Sequence, residues 1–166
     1  LDDHVLDPDP IKQFILWFDE AARTGVPQAD AMALATATRD GSPSARMVLL
    51  KAVDDQGFVF HTSSVSRKGQ ELTANPRAAL IFFWAELNRQ VRIEGAVTRL
   101  SAEESDAYFA TRPHDSQLSS LTSAQSEPIA SRVELDRRFE QLKQQFRGKV
   151  IPRPPYWGGY RVRPES

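Results

Sequence analysis

The chain has 166 residues, of which 40% are hydrophobic and 26% charged, as expected for one soluble globular domain with a real core. The formal net charge is −1, so we expect no nucleic-acid or membrane-surface partner. The start is acidic and no apolar run reaches transmembrane length, which predicts a cytoplasmic location. Because it has no cysteine and three scattered histidines, we expect no disulfide, thiolate or metal site.

The N-terminal third predicts one helix followed by paired strands. Asp9 is a suitable N-cap, Pro10 suits the first helical turn and Gly25 ends the segment. Its apolar residues recur at helical spacing: Ile11, Phe14, Ile15, Phe18 and Ala22. Extended runs at 31–38 and 44–53 flank the turn RDGSP, and DDQG leads into a third run, FVFHT. Both turns are typical of hairpins, so we predict an antiparallel meander.

The rest of the chain alternates between helices and strands. Ser64 or Ser66 is expected to cap a helix that includes GQEL, and NPRAALIFFW and RQVRIEGAVTRL are predicted strands. Ser101 and Glu104 form a capping-box pattern for a short helix that ends before Pro113. The segment SRVELDRRFEQLKQQF predicts an amphipathic helix, and PPYWGGYRV predicts a turn into a last strand. The inner side of that helix is expected to carry Val133, Phe139, Leu142 and Phe146.

This succession predicts the fold class. Hairpins followed by peripheral helices indicate a mainly β, α+β protein: an antiparallel barrel or sheet with helices packed outside. We expect a single domain over residues 1–166.

Two cations stand at an unusual position in the predicted helix near Ser66. Arg67 and Lys68 fall in its first turn, where the helix dipole already supplies partial positive charge and acidic residues are favoured. One explanation is a bound anion such as phosphate, which free backbone N–H groups and an arginine fork both suit. The other is a solvated surface pair balanced by Glu71, four residues after Arg67.

Further polar residues are candidates for the same chemistry. Arg46 and Lys51 would point to opposite sides of a regular strand, so a ligand touching both must follow the strand's edge or end; otherwise both reach water. Tyr108 and Arg112 share a helix face with Ser116 just beyond, and form either a second phosphate site or a Tyr–Arg stack.

Three amides and hydroxyls carry weaker signals. Gln125 and Ser126 could pair with an amide-like ring edge, but by themselves they indicate only a loop. Gln90 lies in an otherwise apolar strand, where a buried amide would need partners.

Taken in order, several motifs resemble the pyridoxamine 5′-phosphate oxidase family. They are RMVLLK, SRKGQEL followed by NPRAAL, RQVRIEG, YFATRPHDSQ, AQSEPI and PPYWGGYRV, and they cover residues from about 10 to 164. The resemblance implies a split β-barrel that forms a homodimer with FMN at the subunit interface.

The resemblance also implies a role for each matching residue. FMN would be bound by Arg46, Met47, Val48, Leu49, Leu50, Lys51, His61, Thr62, Arg67, Lys68, Gln90, Gln125 and Ser126. The substrate would be bound by Lys51, Tyr108, Arg112 and Ser116. Arg67 and Lys68 would grip the FMN phosphate with Arg46 nearby, and some pocket residues would come from the partner subunit.

The implied reaction is oxidation of pyridoxamine or pyridoxine 5′-phosphate to pyridoxal 5′-phosphate, as in vitamin B6 salvage. O2 is the acceptor and H2O2 the product. Because the flavin carries the redox chemistry, no residue of the chain is predicted as catalytic. The alternatives are a phenazine-biosynthesis flavin oxidase of the same fold and a non-catalytic flavin- or haem-binding split barrel.

The sequence departs from the family pattern at both ends. Family members continue past WGGYRV into a further strand and an Arg-x-His-x-Arg segment, and an Arg-x-x-Tyr segment precedes their first helix. Residues 1–166 contain no Arg-x-His-x-Arg segment, and no Arg-x-x-Tyr segment precedes the first predicted helix. We therefore expect either a fragment of a longer protein, which we prefer, or a shortened relative with impaired chemistry.

Overall fold

Serine and aspartate caps set where the helices begin. The computed structural model describes residues 6–122 and 125–165. Its helices are α1 Pro10–Arg23, α2 Arg67–Ala74, α3 Ala102–Thr111, α4 His114–Thr122 and α5 Arg132–Gln145. The Asp9 carboxylate caps α1, the Ser66 hydroxyl caps α2, and Ser101 with Glu104 closes the expected capping box of α3. Of the two candidate caps for α2, Ser66 is therefore the one used.

One antiparallel sheet contains all seven strands found in the described residues. They are β1 Ala31–Ala37, β2 Pro43–Leu49, β3 Ala52–Asp54, β4 Gly57–Ser63, β5 Arg77–Trp84, β6 Arg89–Arg99 and β7 Trp157–Pro164. Their order across the sheet is β2-β1-β5-β6-β7-β4-β3. The two predicted hairpins are present, β1 with β2 and β3 with β4, and the predicted mainly β class is confirmed.

The prediction of a simple meander is wrong, because consecutive strands β2 and β3 lie at opposite ends of the sheet. The predicted run 44–53 breaks at Leu50 and Lys51. The Leu50 N–H still donates to the Asp30 carbonyl beside β1 (2.8 Å), whereas the Lys51 N–H donates to Val59 on β4 (2.8 Å). The chain thus changes hydrogen-bonding partner between two residues, and the ends of the sheet curve toward each other.

The main core lies between α1 and the concave side of the sheet. Phe14 meets Phe58 edge-on at 4.8 Å between ring centroids and lies 4.9 Å from Phe82. Ala21 is fully buried on α1, whereas the predicted Ala22 is exposed. The helical spacing was right, but the buried stripe is shifted by one residue at its end.

A second apolar cluster holds the C-terminal helices against the start of β7. It comprises Phe109, Leu118, Ile151 and Trp157, with Phe139, Leu142 and Phe146 packed on it. The predicted inner position of Val133 is wrong, since it is 76% exposed in the first turn of α5. Helix α4 was not predicted because HDSQLSSLT is mostly polar and buries little beyond Gln117, Leu118 and Thr122. No helix in residues 6–122 or 125–165 has the length and apolar character of a membrane span.

Candidate functional site

A cleft of about 720 Å³ opens between β2, at one end of the sheet, and β4, near the other. Volumes of this order are typical of small-molecule sites. The predicted residues that line it are Arg46, Met47, Val48, Leu49, Lys51, His61, Thr62, Arg67, Lys68, Tyr108, Arg112, Gln125 and Ser126. Segments that are far apart in sequence thus supply one continuous surface.

Three predicted site residues lie outside this lining. Leu50 is buried in the main core. Gln90 is exposed on β6, paired with Phe83, so the expectation of a buried amide is wrong for this chain by itself. Ser116 lies on α4, one turn before Ser120, whose hydroxyl donates to the Ser116 carbonyl at 3.2 Å.

The cleft also includes residues that sequence reasoning did not select. They are Ser44, Ala45, Ser63, Ser119, Ser120 and Trp157. Ser119 and Ser120 become neighbours of the site only because 114–122 is helical. Trp157 belongs to the quoted motif PPYWGGYRV, which could have indicated it.

Close packing of α2 places its N-terminal cations at the cleft. A side chain at Gly69 would bring a Cβ within 2.5 Å of the Ser63 carbonyl oxygen and 2.6 Å of Ser64, so only glycine permits this approach. The Ser66 hydroxyl accepts from the Gly69 N–H at 3.3 Å. As a result, Arg67 and Lys68 begin the helix directly at the end of β4.

Lys68 is a buried cation with two neutral partners. Its Nζ donates to Gln125 Oε1 at 3.0 Å and lies 3.4 Å from the Ser66 hydroxyl. The Thr62 hydroxyl donates to the same Gln125 oxygen, also at 3.0 Å. Burial, assisted by the charge of Arg46, lowers the pKa of Lys68 from 10.5 to about 8. Among residues 6–122 and 125–165 no carboxylate forms an ion pair with this ammonium, so it is available to an anion bound in the cleft.

The pairing of Arg67 with Glu71 is present, but it is not a solvated surface pair. Arg67 Nε donates to Glu71 Oε1 at 2.9 Å, and the Glu71 side chain is only 5% exposed. Glu71 also accepts from Arg46, at 3.3 Å. Burial would raise the pKa of Glu71, but hydrogen bonds from Ser44, Thr36 and the two arginines outweigh it and lower the pKa to about 2.

Aromatic stacking organises the other cationic part of the cleft. Tyr108 stacks on His61 at 3.9 Å between centroids, and the Arg112 guanidinium lies 4.6 Å from the centre of the Trp157 ring. Arg112 Nη1 donates to the Ser120 hydroxyl at 2.6 Å. The alternative of a Tyr108–Arg112 stack is therefore wrong. Each residue stacks on a ring supplied by β4 or β7.

His61 is a neutral ring inside this stack. Burial, with the charges of Arg112 and Lys51, lowers its pKa to about 4. Neither ring nitrogen has a hydrogen-bond partner among the described residues, and a Cβ on Gly159 would lie 3.0 Å from Nε2. His61 therefore acts as an uncharged platform for Tyr108 at neutral pH.

Lys51 reaches the same cleft from the break after β2. Its Nζ pairs with Asp30 Oδ2 at 3.4 Å, with about a third of each side chain exposed. Because the strand ends at Leu49, Lys51 is not held on the face opposite Arg46, as a regular strand would require. One ligand can meet both cations by following β2.

The lining fits a flat ring system with a phosphate tail. Arg46, Arg67 and Lys68 form one cationic group around the start of α2, and Lys51 and Arg112 form another beside His61. Apolar side chains on β2 complete the wall: Met47, Val48 and Leu49. The cleft therefore has the charge for two phosphates and the apolar surface for an aromatic ring.

The strand order and this cleft define the class of protein, a split β-barrel with a cationic ligand cleft. The sequence profile of the pyridoxamine 5′-phosphate oxidase family matches residues 18–146. The chain belongs to this family, which supports an oxidoreductase that binds a flavin.

Known proteins resemble the chain over nearly its whole length. It is 62% identical over 159 residues to a pyridoxine/pyridoxamine 5′-phosphate oxidase of Rubrobacter xylanophilus, covering 96% of this chain and 73% of the relative. PhzG from Burkholderia lata, solved with tetrahydrophenazine-1-carboxylic acid, has a TM-score of 0.90 and 36% identity over 95% of this chain and 78% of that one. A related FMN-binding protein from Nostoc punctiforme shares the fold, with a TM-score of 0.73 and 16% identity over 96% of this chain and 83% of that one.

Replacing Lys68 with methionine is expected to stabilise the flavin-free protein at pH 7. Because the folded pKa lies below the usual 10.5, the unfolded chain binds more protons between pH 8 and 10.5, so wild-type stability rises with pH across that window. Below pH 8 the buried charge costs the folded state about 3 kcal/mol. Urea unfolding measures the free energy of unfolding of both proteins at pH 7 and at pH 10. The difference between the two proteins should be smaller at pH 10 than at pH 7.

Lys143→Met is the matched control, because Lys143 is half exposed on α5. It should leave the free energy of unfolding within about 0.5 kcal/mol of wild type at both pH values. A gap between wild type and Lys68→Met that does not change with pH would contradict a depressed Lys68 pKa.

Proposed function

We propose that the protein is an FMN-dependent pyridoxamine 5′-phosphate oxidase, which oxidises pyridoxamine or pyridoxine 5′-phosphate to pyridoxal 5′-phosphate. The observation that carries the proposal is the presence of two cationic groups in one cleft. A flavin mononucleotide and a phosphorylated substrate bring two phosphates, and each group of cations suits one of them.

Arg46, Arg67 and Lys68 would hold the phosphate of FMN at the start of α2. The helix N-terminus adds free N–H groups and partial positive charge at the same place. Burial of the Lys68 ammonium strengthens its attraction to a dianion, because little water screens it. The apolar side chains of β2 would then lie along the flavin ring.

Lys51, Tyr108 and Arg112 would hold the phosphate of the substrate. Arg112 is fixed by its stack on Trp157 and its hydrogen bond to Ser120, so its charge is already in place before a ligand arrives. Ser116, one turn from Ser120, remains a predicted member of this group. Neutral His61 supports Tyr108 without adding a further charge.

When bound, FMN would supply the redox chemistry, a two-electron oxidation of the substrate with O2 as the final acceptor and H2O2 as product. With pyridoxamine 5′-phosphate, water would also be consumed and the amine released as ammonia. The chain's residues orient the two rings and neutralise the two phosphates. Holding both reactants in one cleft makes the transfer effectively unimolecular, which is where the protein accelerates the reaction.

We also propose that two copies of the chain pair through the outer face of β2 and β5. Four large apolar side chains are exposed there, Met47 at 65%, Leu49 at 40%, Ile81 at 38% and Phe83 at 66%. Ala33 on β1 pairs with both Met47 and Ile81, so these side chains belong to one continuous face. Because Met47 and Leu49 also line the cleft, a second copy on this face would help to close it.

A second candidate function is oxidation of a tricyclic phenazine carboxylic acid. The observation that favours it is the 36% identity and 0.90 TM-score with PhzG, solved with such a compound. The cluster of Lys51, Tyr108 and Arg112 favours a phosphorylated substrate instead, since a phenazine carboxylate carries no phosphate.

Purified protein with FMN should convert pyridoxine or pyridoxamine 5′-phosphate to pyridoxal 5′-phosphate, followed by product absorbance. A reduced phenazine carboxylic acid tested in parallel distinguishes the second candidate. If protein with bound flavin turns over neither phosphorylated substrate, the leading proposal is wrong.

Two arginine variants should separate the two phosphate sites. Arg67→Ala is expected to weaken FMN binding by about tenfold or more, because it removes a charge-assisted contact to the phosphate. Arg112→Ala should mainly raise the KM for substrate and leave the Kd for FMN within about twofold. Flavin fluorescence titration and steady-state kinetics measure the two effects. Unchanged flavin affinity in Arg67→Ala would contradict the assignment of the phosphate site at α2.

Phe83→Glu is expected to convert the dimer to monomers, because it places a charge within the exposed apolar face. Sedimentation velocity measures the change, and FMN affinity should fall with it. Val150→Glu is the matched control, since Val150 is 91% exposed and lies outside this face. A wild-type protein that sediments as a monomer at assay concentrations would rule out the proposed pairing.

A further inference from the structure

We propose that Glu71 is a positioning residue, a buried carboxylate behind the cleft that holds the guanidinium groups of Arg46 and Arg67 in the geometry that binds the FMN phosphate. This inference rests on the proposed function. It assigns to Glu71 a role in cofactor affinity although its side chain is not expected to touch the cofactor.

Both oxygens of Glu71 are occupied by donors from three parts of the chain. Oε1 accepts from Arg67 Nε at 2.9 Å. Oε2 accepts from the Ser44 hydroxyl at 2.6 Å, from the Thr36 hydroxyl, and from Arg46 Nη2 at 3.3 Å. A carboxylate that is 5% exposed is tolerated only when it is paired in this way. Four donors converging on one buried side chain form a built arrangement that joins β1, β2 and α2.

Glu71 leaves the binding surface of Arg67 available. It engages Arg67 through Nε alone, at the side of the guanidinium, and the Arg67 side chain is 63% exposed. The terminal nitrogens of Arg67 have no protein partner among residues 6–122 and 125–165. Since an arginine binds phosphate through two parallel N–H donors, a side contact to Glu71 orients the guanidinium while keeping donors for the ligand.

Arg46 is fixed more completely. Its Nη1 donates to the Leu34 carbonyl at 3.3 Å and to the Thr36 hydroxyl, and its Nη2 donates to Ser44 and Glu71. Its position is therefore set by β1 and β2 as well as by the carboxylate. It contributes charge at a fixed point, whereas Arg67 contributes a guanidinium whose terminal donors stay available to the ligand.

The position of Glu71 argues against competition with the phosphate. Arg46, Arg67 and Lys68 all line the cleft, but Glu71 does not. The carboxylate is thus on the far side of the arginines from the ligand. If the carboxylate occupied the place of the phosphate, its removal would tighten FMN binding. Because it lies behind the arginines, its removal instead lets the guanidinium groups of Arg46 and Arg67 move apart, which weakens FMN binding.

The charges of the cluster also match the proposed ligand. Three cations and one carboxylate leave a net charge of +2 while Lys68 is protonated, below its pKa of about 8. A phosphate monoester carries about −1.5 to −2 at pH 7. Glu71 remains ionised throughout the working range, because its pKa is about 2.

The test compares the affinities of FMN and riboflavin, which differ by the phosphate, for wild type and Glu71→Gln. The amide keeps the size of the side chain but replaces one acceptor oxygen with an NH2 donor. That donor would face either the Arg67 Nε–H or the donors that now bind Oε2, so one set of hydrogen bonds is lost. We expect the Kd for FMN to rise about tenfold or more and the Kd for riboflavin to stay within about twofold. Flavin fluorescence quenching measures both.

Glu134→Gln is the matched control. Glu134 on α5 also forms an i,i+4 pair with an arginine, Arg138 at 2.7 Å, and lies outside the cleft. It should change neither affinity. Thr36→Val keeps the shape of the side chain but removes one buried donor to Glu71 and one acceptor for Arg46. It should raise the Kd for FMN by about threefold and spare riboflavin, and it tests the same cluster if Glu71→Gln does not fold.

Each outcome decides between defined alternatives. Equal or tighter FMN binding by Glu71→Gln overturns the positioning role, and so does an equal loss of FMN and riboflavin affinity, which would indicate general damage to the fold. Wild-type protein that binds FMN no better than riboflavin would overturn the proposed phosphate site itself. Failure of this inference is therefore distinguishable from failure of the proposed function.

Discussion

The rest of the site depends on the change of hydrogen-bonding partner at Leu50 and Lys51. Up to Leu50 the backbone is tied to β1 and its preceding turn, and from Lys51 onward it is tied to β4. Two hairpins that are adjacent in sequence therefore lie at opposite ends of one sheet. The curvature this imposes brings β2 to face β4, and without it the cleft would have only one wall.

The charged residues of the cleft are positioned by the helices that pack at the ends of this curved sheet. Helix α2 packs so closely on the end of β4 that its first-turn cations face β2, and the α3–α4 pair brings Arg112 onto Trp157 of β7. The dipole of α2 opposes those cations, so the arrangement needs compensating negative charge. Part of it is the buried Glu71, and the proposed phosphate supplies the remainder.

Local signals in the sequence predicted elements whose formation depends on near neighbours. The capping box at Ser101, a cap at Ser64 or Ser66 and the two hairpin turns were all recognisable because the interacting groups are within a few residues. Helix α4 was missed because its burial comes from the second apolar cluster and not from its own periodicity. Val133 was wrongly predicted to be buried, because helical spacing does not show whether another part of the chain covers the first turn of α5.

By itself, the sequence determined most of the helices and strands, the mainly β class and, through motifs that resemble a known family, most of the residues that line the cleft. Only the tertiary structure decided that Glu71 is buried between Arg46 and Arg67, that Tyr108 and Arg112 stack on different rings, and that Gln90 faces outward. The physical reason is sequence distance. Glu71 lies 25 residues from Arg46 and 35 from Thr36, and whether a carboxylate is solvated or buried depends on such remote partners.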